Sequence, residues 1–169
     1  MPTRIVILGS ESTGKTTLAI KLAEYFKVDF AKEYLREYFE MKNGILTIDD
    51  AIPIAMGQLE NERLLEKKGY APLICDTDII SSIVYSKYYF GKCPAWIEDQ
   101  FSKRSRTHYL LCDIDVPWVA DGQRDKPEKR EHMQNLFLNE LRARNMSFDI
   151  ISGDIETRLE KSVSIISDL

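Results

Sequence analysis

An excess of positive charge is missing from this chain of 169 residues, in which 23 Lys and Arg face 27 Asp and Glu for a formal net charge of −4 and a pI near 5.3. Neutralising nucleic-acid phosphates takes a basic surface, so nucleic acid is not an expected partner. Cysteine is scarce. Cys75, Cys93 and Cys112 are odd in number and share no close spacing, and two lie in apolar runs where a thiol serves as a small hydrophobe. Neither a disulfide nor a zinc site is expected from them. The two histidines, His108 and His132, show no ligand spacing. Long apolar runs are also absent. Ile5 to Leu8 falls far short of the roughly 20 residues of a membrane helix, and the chain reaches Gly9 before a signal-peptide core develops, so the cytoplasm is the expected location and no membrane the expected partner. With no internal repeat, low-complexity tract or linker, residues 1–169 read as one domain, within the roughly 100 to 200 residues typical of one.

The material for a packed core is present, with 44% hydrophobic and 10% aromatic residues beside 30% charged ones. Arg4-Ile5-Val6-Ile7-Leu8 is a short β-branched run ending at Gly9, as a central parallel strand buried on both faces would be. Leu18, Ala19, Leu22, Ala23 and Phe26 then repeat at helical spacing. Val28-Asp29-Phe30 reads as a weak second strand, followed by a charged, aromatic helical segment from Glu33. Thr47 with Asp50 forms a capping pattern that opens a helix toward Lys68, with Ile52, Met56, Leu59 and Leu64 on one side and Pro53 and Gly57 bending its first turns. Leu73-Ile74-Cys75, Tyr109 to Cys112 and Phe148 to Ile151 complete about five strands, and a last amphipathic helix runs to about Ser167. Strands alternating with helices predict an α/β fold with a parallel sheet covered on both faces. The stretch around residues 117–131, dense in charge and turn residues, has the composition of a lid.

Gly9-Ser10-Glu11-Ser12-Thr13-Gly14-Lys15-Thr16 fits G-x-x-x-x-G-K-[ST], the P-loop signature, and it stands where that signature belongs, between a buried strand and a helix. A triphosphate must be wrapped by backbone N–H groups at a helix N-terminus, and the two glycines permit that approach. Gly9, Glu11, Ser12, Thr13, Gly14, Lys15, Thr16 and Thr17 are therefore the expected nucleotide-binding residues. Lys15 would meet the β- and γ-phosphates, Thr16 would hold Mg²⁺ through its hydroxyl, and Thr17 would hold an α-phosphate oxygen. Asp76 closes the third strand at the carboxyl edge of the sheet, where ligands collect, and is the expected Mg²⁺ partner. Asp78, two residues on, is either a helix N-cap or a substrate contact. Asp113 and Asp115 precede Pro117 and suit a turn. The cluster Tyr85, Tyr88, Tyr89 and Phe90 is spaced like a helix face and reads as core or interface rather than a ring-binding box.

Four blocks, Gly9 to Thr17, Glu33-Tyr34-Leu35-Arg36-Glu37, Asp76-Thr77-Asp78 and Pro117-Trp118-Val119-Ala120-Asp121-Gly122-Gln123-Arg124, together resemble the ribosylnicotinamide kinase domain of bacterial NadR proteins and related AAA-type P-loop ATPases. The first block is shared by very many NTPases, whereas the Glu-Tyr-x-Arg-Glu and Trp-Val-x-Asp-Gly-x-Arg blocks are particular to this group. The resemblance implies a P-loop NTPase fold and an ATP- and Mg²⁺-dependent kinase that phosphorylates the 5′-hydroxyl of nicotinamide riboside, here as a free-standing kinase domain. It implies Arg124 as the cation that lies over the phosphates, with Arg130 as second choice, and Glu33 as the group that holds the ribose or assists deprotonation, in competition with Asp76. Arg36 is either a substrate contact or an ordinary helical ion pair with Glu33 or Glu37, and Tyr34 and Trp118 are either ring-binding walls or core. Lys32 stands where the family carries an aromatic residue, and Ala120 replaces the first Asp of Trp-Val-Asp-Asp-Gly. Another nucleoside thus stays open as acceptor, as does a nucleotide-dependent switch with no small acceptor at all.

Overall fold

The structure, a computed structural model, describes residues 3–104, 106–117 and 127–169. Five parallel strands, β1 (Arg4–Leu8), β2 (Phe30–Ala31), β3 (Leu73–Asp76), β4 (Thr107–Cys112) and β5 (Ser147–Ile151), form one sheet in the order β2-β3-β1-β4-β5. The predicted central place of β1 follows from its sequence, since Ile5, Val6, Ile7 and Leu8 are all fully buried. Their side chains alternate between faces. Ile5 and Ile7 pack with Leu18 and Leu22 of α1 (Lys15–Phe26) and Ile166 of α7 (Ile155–Ser167). Val6 and Leu8 face a larger core built by α3 (Ala51–Lys68), α4 (Ile79–Phe90), α5 (Ala95–Ser102) and α6 (Pro127–Ala143). Among the described residues, no helix is long and apolar enough to cross a membrane.

The second strand is shorter than the run Val28 to Phe30 predicts, because Val28 donates its N–H to Ala23 O at 3.0 Å and so closes the end of α1. Thr47 and Asp50 do form a reciprocal capping box, but on a turn of 3₁₀ helix (Ile48–Asp50) that leads into α3. Pro53 falls in the first turn of α3, where no N–H is needed, and the helix continues unbroken to Lys68. The expected face of α3 holds only for Ile52 and Leu59, which are partly buried against the core. Met56 and Leu64 are about half exposed, and Ile54, Ala55, Gln58, Glu62 and Leu65 are the buried set. Gln58 and Glu62 enter the core because partners distant in sequence satisfy them. The Gln58 amide joins Tyr34 N–H to Thr77 O, and the Glu62 carboxylate meets Arg4 and Arg104.

Short α2 (Tyr34–Met41) has no fully buried residue and leans on α3 and the 3₁₀ turn before it. The Tyr34 ring lies against Gly57, the Tyr38 hydroxyl donates to Asp50 at 2.8 Å, and Lys42 pairs with Asp50 at 3.4 Å. This arm forms one wall of the site described next.

Candidate functional site

The chain leaves β1 at Gly9 with φ of 148°, and a Cβ there would lie 2.9 Å from Cys112 O, so glycine is required on both counts. Buried Gln134 of α6 fixes the start of the loop, accepting from Ser10 N–H at 2.9 Å and donating to Cys112 O at 2.7 Å. The Thr13 hydroxyl and Lys15 Nζ both donate to Ser10 O, at 2.8 and 3.0 Å. Gly14, at φ of 83°, caps α1. Behind the loop, the fully buried Arg158 of α7 donates to the carbonyls of Thr13, Gly153 and Asp113 and pairs with Asp115. Sequence reasoning missed Arg158 and Gln134, whose partners, Gly153 apart, lie about 20 to 150 residues away in the chain. Asp113 accepts from Ile114 N–H and the Ser152 hydroxyl, and Asp115 from Gly153 N–H, in keeping with turn-building.

Glu11 to Thr17, with Glu33 and Arg36, line a small cavity of about 70 Å³ at the carboxyl edge of the sheet. Register places Asp76 of β3 beside Ile7 of β1, at the foot of the loop. Thr16 donates to Asp76 Oδ2 at 2.6 Å, while the buried Oδ1 has no hydrogen-bond partner among the described residues. Burial pushes this carboxyl above its ordinary range, and the Thr16 hydroxyl and the charge of Lys15 pull it back. A hydroxyl and a carboxylate with one free buried oxygen are hard oxygen donors that fit Mg²⁺, which keeps waters and phosphate oxygens as its other ligands. Among the described residues no group of three or more His, Cys, Asp or Glu is gathered as a protein-only metal cage.

A second cavity of about 420 Å³ adjoins the first, and Glu11, Glu33 and Arg36 line both. Its walls are mostly apolar, from Leu35 and Phe39 of α2, Leu46, Ala51 and Ile54, and Tyr85, Tyr89 and Phe90 of α4, over a polar floor of Thr77, Ser81, Ser82 and Ser86. Glu33 sits at the junction as N-cap of α2. Burial raises its pKa to about 7, with the charges of Asp76 and Glu11 adding to the rise and those of Lys15 and Arg36 opposing it. No hydrogen bond or ion pair holds the exposed Arg36 guanidinium among the described residues, so the ion pair with Glu33 or Glu37 does not form.

This geometry selects between the alternatives at Tyr34 and Asp78 and corrects the reading of the tyrosine cluster. Tyr34 does not line the cavity, because its ring packs on Gly57 of α3. Asp78 borders the cavity, but its carboxylate serves the protein itself. Oδ1 accepts from Ile80 N–H as an N-cap, and Oδ2 accepts from the Tyr109 hydroxyl at 2.8 Å and meets Arg104 at 3.1 Å. The tyrosine cluster, in turn, is not simply core. Tyr85 and Tyr89 stack at 6.1 Å in the cavity wall, with Tyr85 edge-on to Phe137. Trp118, Arg124 and most of the expected lid lie outside the described residues. Arg130, on the first turn of α6, donates to the carbonyls of Ser12, Ile114 and Val116, which puts its guanidinium against the loop.

The sequence from residue 4 to 158 matches the model of an AAA domain family, AAA_28. The chain belongs to this AAA family. Two curated relatives, each named trifunctional NAD biosynthesis/regulator protein NadR, from Salmonella typhimurium and Escherichia coli, are 29% identical to the AAA chain over 172 aligned residues. That alignment covers 98% of this chain and 42% of each relative, so the chain spans less than half the length of the curated proteins it matches. Among solved structures, a NadR protein in complex with NR superposes with a TM-score of 0.81 at 23% identity, over 99% of this chain and 49% of that one. Thymidylate kinase from Ehrlichia chaffeensis superposes with a TM-score of 0.74 at 17% identity, covering 98% of both chains. The AAA chain thus has the parallel-sheet P-loop fold of these kinases.

Proposed function

We propose that this AAA-family chain is an ATP-dependent small-molecule kinase that transfers the γ-phosphate to the 5′-hydroxyl of nicotinamide riboside. The observation that carries the reading is the pair of adjoining cavities, one formed by the P-loop and one large and mostly apolar, with the Glu33 carboxylate at their junction. Pockets for small organic ligands are of this size and lining. The names of the relatives point the same way, since NR, nicotinamide riboside, is the ligand of the superposed NadR structure.

Phosphoryl transfer requires little covalent chemistry from the protein, so the task is to align acceptor and donor and to neutralise charge. Ser12 to Thr17 would cradle the phosphates, and Lys15 would leave Ser10 O for the β- and γ-oxygens. Thr16 and Asp76 would hold Mg²⁺, which when bound offsets charge on the β- and γ-phosphates. Glu33 accepts the proton of the acceptor hydroxyl as its oxygen bonds to the γ-phosphorus and the bond to the β–γ bridging oxygen breaks, releasing ADP. A group with a pKa of about 7 suits that exchange near neutral pH. Arg36, whose guanidinium takes no hydrogen bond or ion pair among the described residues and which borders both cavities, would meet the transferring phosphoryl group, with Arg130 against the loop and Arg124, as the family resemblance implies, as further cations.

ADP release from Mg·ATP with and without nicotinamide riboside, beside a panel of other nucleosides, tests the reading. Riboside-dependent ADP with matching mononucleotide is the expected result. Release stimulated by another nucleoside alone would reassign the acceptor, and release that no acceptor changes would favour a nucleotide-dependent switch.

A further inference from the structure

A phosphate-binding loop is an unfavourable place for a carboxylate, because a negative side chain repels the triphosphate that the loop has to hold. Glu11 nevertheless occupies the middle of it. Of the residues from Gly9 to Thr17, Glu11 is the one that also lines the larger cavity, whereas Ser12 to Thr17 line only the smaller. The backbone divides the loop at this point, since Ser12 adopts φ of 58°, a left-handed conformation that costs a non-glycine residue energy and is retained where surroundings impose it. Across the larger cavity, the Tyr85 hydroxyl donates to Glu11 Oε1 at 3.2 Å. Oε2 takes no hydrogen bond among the described residues.

We propose that Glu11 belongs to the acceptor rather than to the nucleotide, and that its carboxylate, oriented by Tyr85, accepts hydrogen bonds from the vicinal 2′- and 3′-hydroxyls of a riboside. An ionised carboxylate only accepts, so its ligand must present donors, and a cis-diol offers two at a spacing that carboxylate oxygens match. The rest of the larger cavity supplies aromatic rings and hydroxyls, and Gln58, the one carboxamide in its lining, is already committed at both ends. Sugar recognition therefore rests on Glu11, with Tyr85 as the positioning residue, and the site favours ribosides over deoxyribosides. The acceptor half of this inference rests on the kinase reading above.

Two measurements on wild type, Glu11→Gln and Tyr85→Phe test it, with a thermal melt to establish folding. In the first, calorimetric titration with Mg²⁺ and a non-hydrolysable ATP analogue, Glu11→Gln is expected to bind within about twofold of wild type or more tightly, since a repelling charge has gone. In the second, steady-state turnover, the KM for nicotinamide riboside should rise about tenfold or more in Glu11→Gln. Preference for the riboside over its 2′-deoxy and 3′-deoxy analogues should collapse, and Tyr85→Phe should show the same trend in weaker form. Analogue binding weakened more than about fivefold, with riboside KM unchanged, would overturn the proposal. If the wild type phosphorylates no riboside, the kinase reading fails by itself, and the titration still decides which side of the site Glu11 serves.

Discussion

Gly57 of α3 lies directly beneath the ring of Tyr34, so closely that a Cβ at position 57 would stand 2.1 Å from the nearest ring carbon. That contact, with the Gln58 amide on Tyr34 N–H, seats the first turn of α2 on α3 and so fixes Glu33, its N-cap, at the junction of the cavities. Gly57→Ala must displace the ring or the helix. A loss of about 1 to 3 kcal/mol in stability is expected, as for other overpacked contacts. The KM for the acceptor should rise more than that for ATP, and trimming the ring in Gly57→Ala/Tyr34→Ala should recover part of the stability lost in Gly57→Ala. Denaturant melts of the four members of that cycle would measure the coupling, and additive effects would show that the two positions act independently.

Asp76 and Thr16 share one hydrogen bond, and the other buried carboxylate oxygen has no partner among the described residues. Asp76→Asn keeps the shape and removes the charge. Turnover should fall by about a hundredfold or more, with part of the loss recovered by raising Mg²⁺, as expected for a weakened cation site. Fluorescence titration of Mg·ATP over a range of Mg²⁺ concentrations checks this, and an unaltered Mg²⁺ requirement would remove Asp76 from the cation.

Glu33 gives the proposed reaction a pH signature. A base acts only when deprotonated, so with a pKa of about 7 the rate should climb as pH rises through 7 and level off above it. Glu33→Gln should lose most turnover along with that limb. Stability moves the opposite way. The folded pKa lies above the ordinary 4.5, so the native state holds the proton more tightly than the unfolded chain between those values. Its contribution is complete below about 4.5 and is lost as pH rises to about 7. Melts of Glu33→Gln should lack that decline, and a kinetic limb that persists in the variant would assign the titration elsewhere.

Lys15 is the lysine of the P-loop itself. Its ammonium donates to Ser10 O in a part-buried contact, and one such hydrogen bond contributes only about 1 kcal/mol to folding. Lys15→Ala should therefore melt close to wild type while losing roughly 3 to 4 kcal/mol of transition-state stabilisation, as other preorganised charge donors do. Near wild-type turnover would exclude the assigned role.

Much of this was legible in the sequence where the signal is local. The β1 run, the glycines of the loop and the Thr47–Asp50 box each carry their cause within a few residues, and each forms in the expected place. The face of α3 was legible only at Ile52 and Leu59, because Gln58 and Glu62 are buried by virtue of Tyr34, Thr77, Arg4 and Arg104, which periodicity within the helix does not reveal. Tyr85 illustrates the same limit from the other side. Helical spacing puts it on an inward face, yet that face borders a cavity whose opposite wall is α2, an element the sheet does not cover.

Arg158 is the most consequential residue that reading in sequence passes over, since it sits in the first turn of α7 among ordinary charges and yet is 2% exposed. Its guanidinium ties α7 to the β4 exit through Asp113 and Asp115 and to the P-loop through Thr13 O. Arg158→Met would remove the donor shared by the carbonyls of Thr13, Gly153 and Asp113, while the exposed Asp115 keeps the Gly153 N–H. A buried acceptor left without its donor costs about 1 to 3 kcal/mol, so a loss of about 3 kcal/mol is expected for the three together, and with about 2 to 4 °C per kcal/mol for a chain of this size the melting temperature should fall by roughly 6 to 12 °C. The effect should also reach the nucleotide, because Thr13 O faces the back of the loop that cradles the phosphates, so the KM for ATP should rise while the acceptor KM holds. Arg158→Lys, which keeps the charge without the fork, should recover stability only in part. Scanning calorimetry and ATP kinetics on both variants test the assignment, and a Met variant that melts within about 1 °C of wild type would show that the loop does not lean on Arg158.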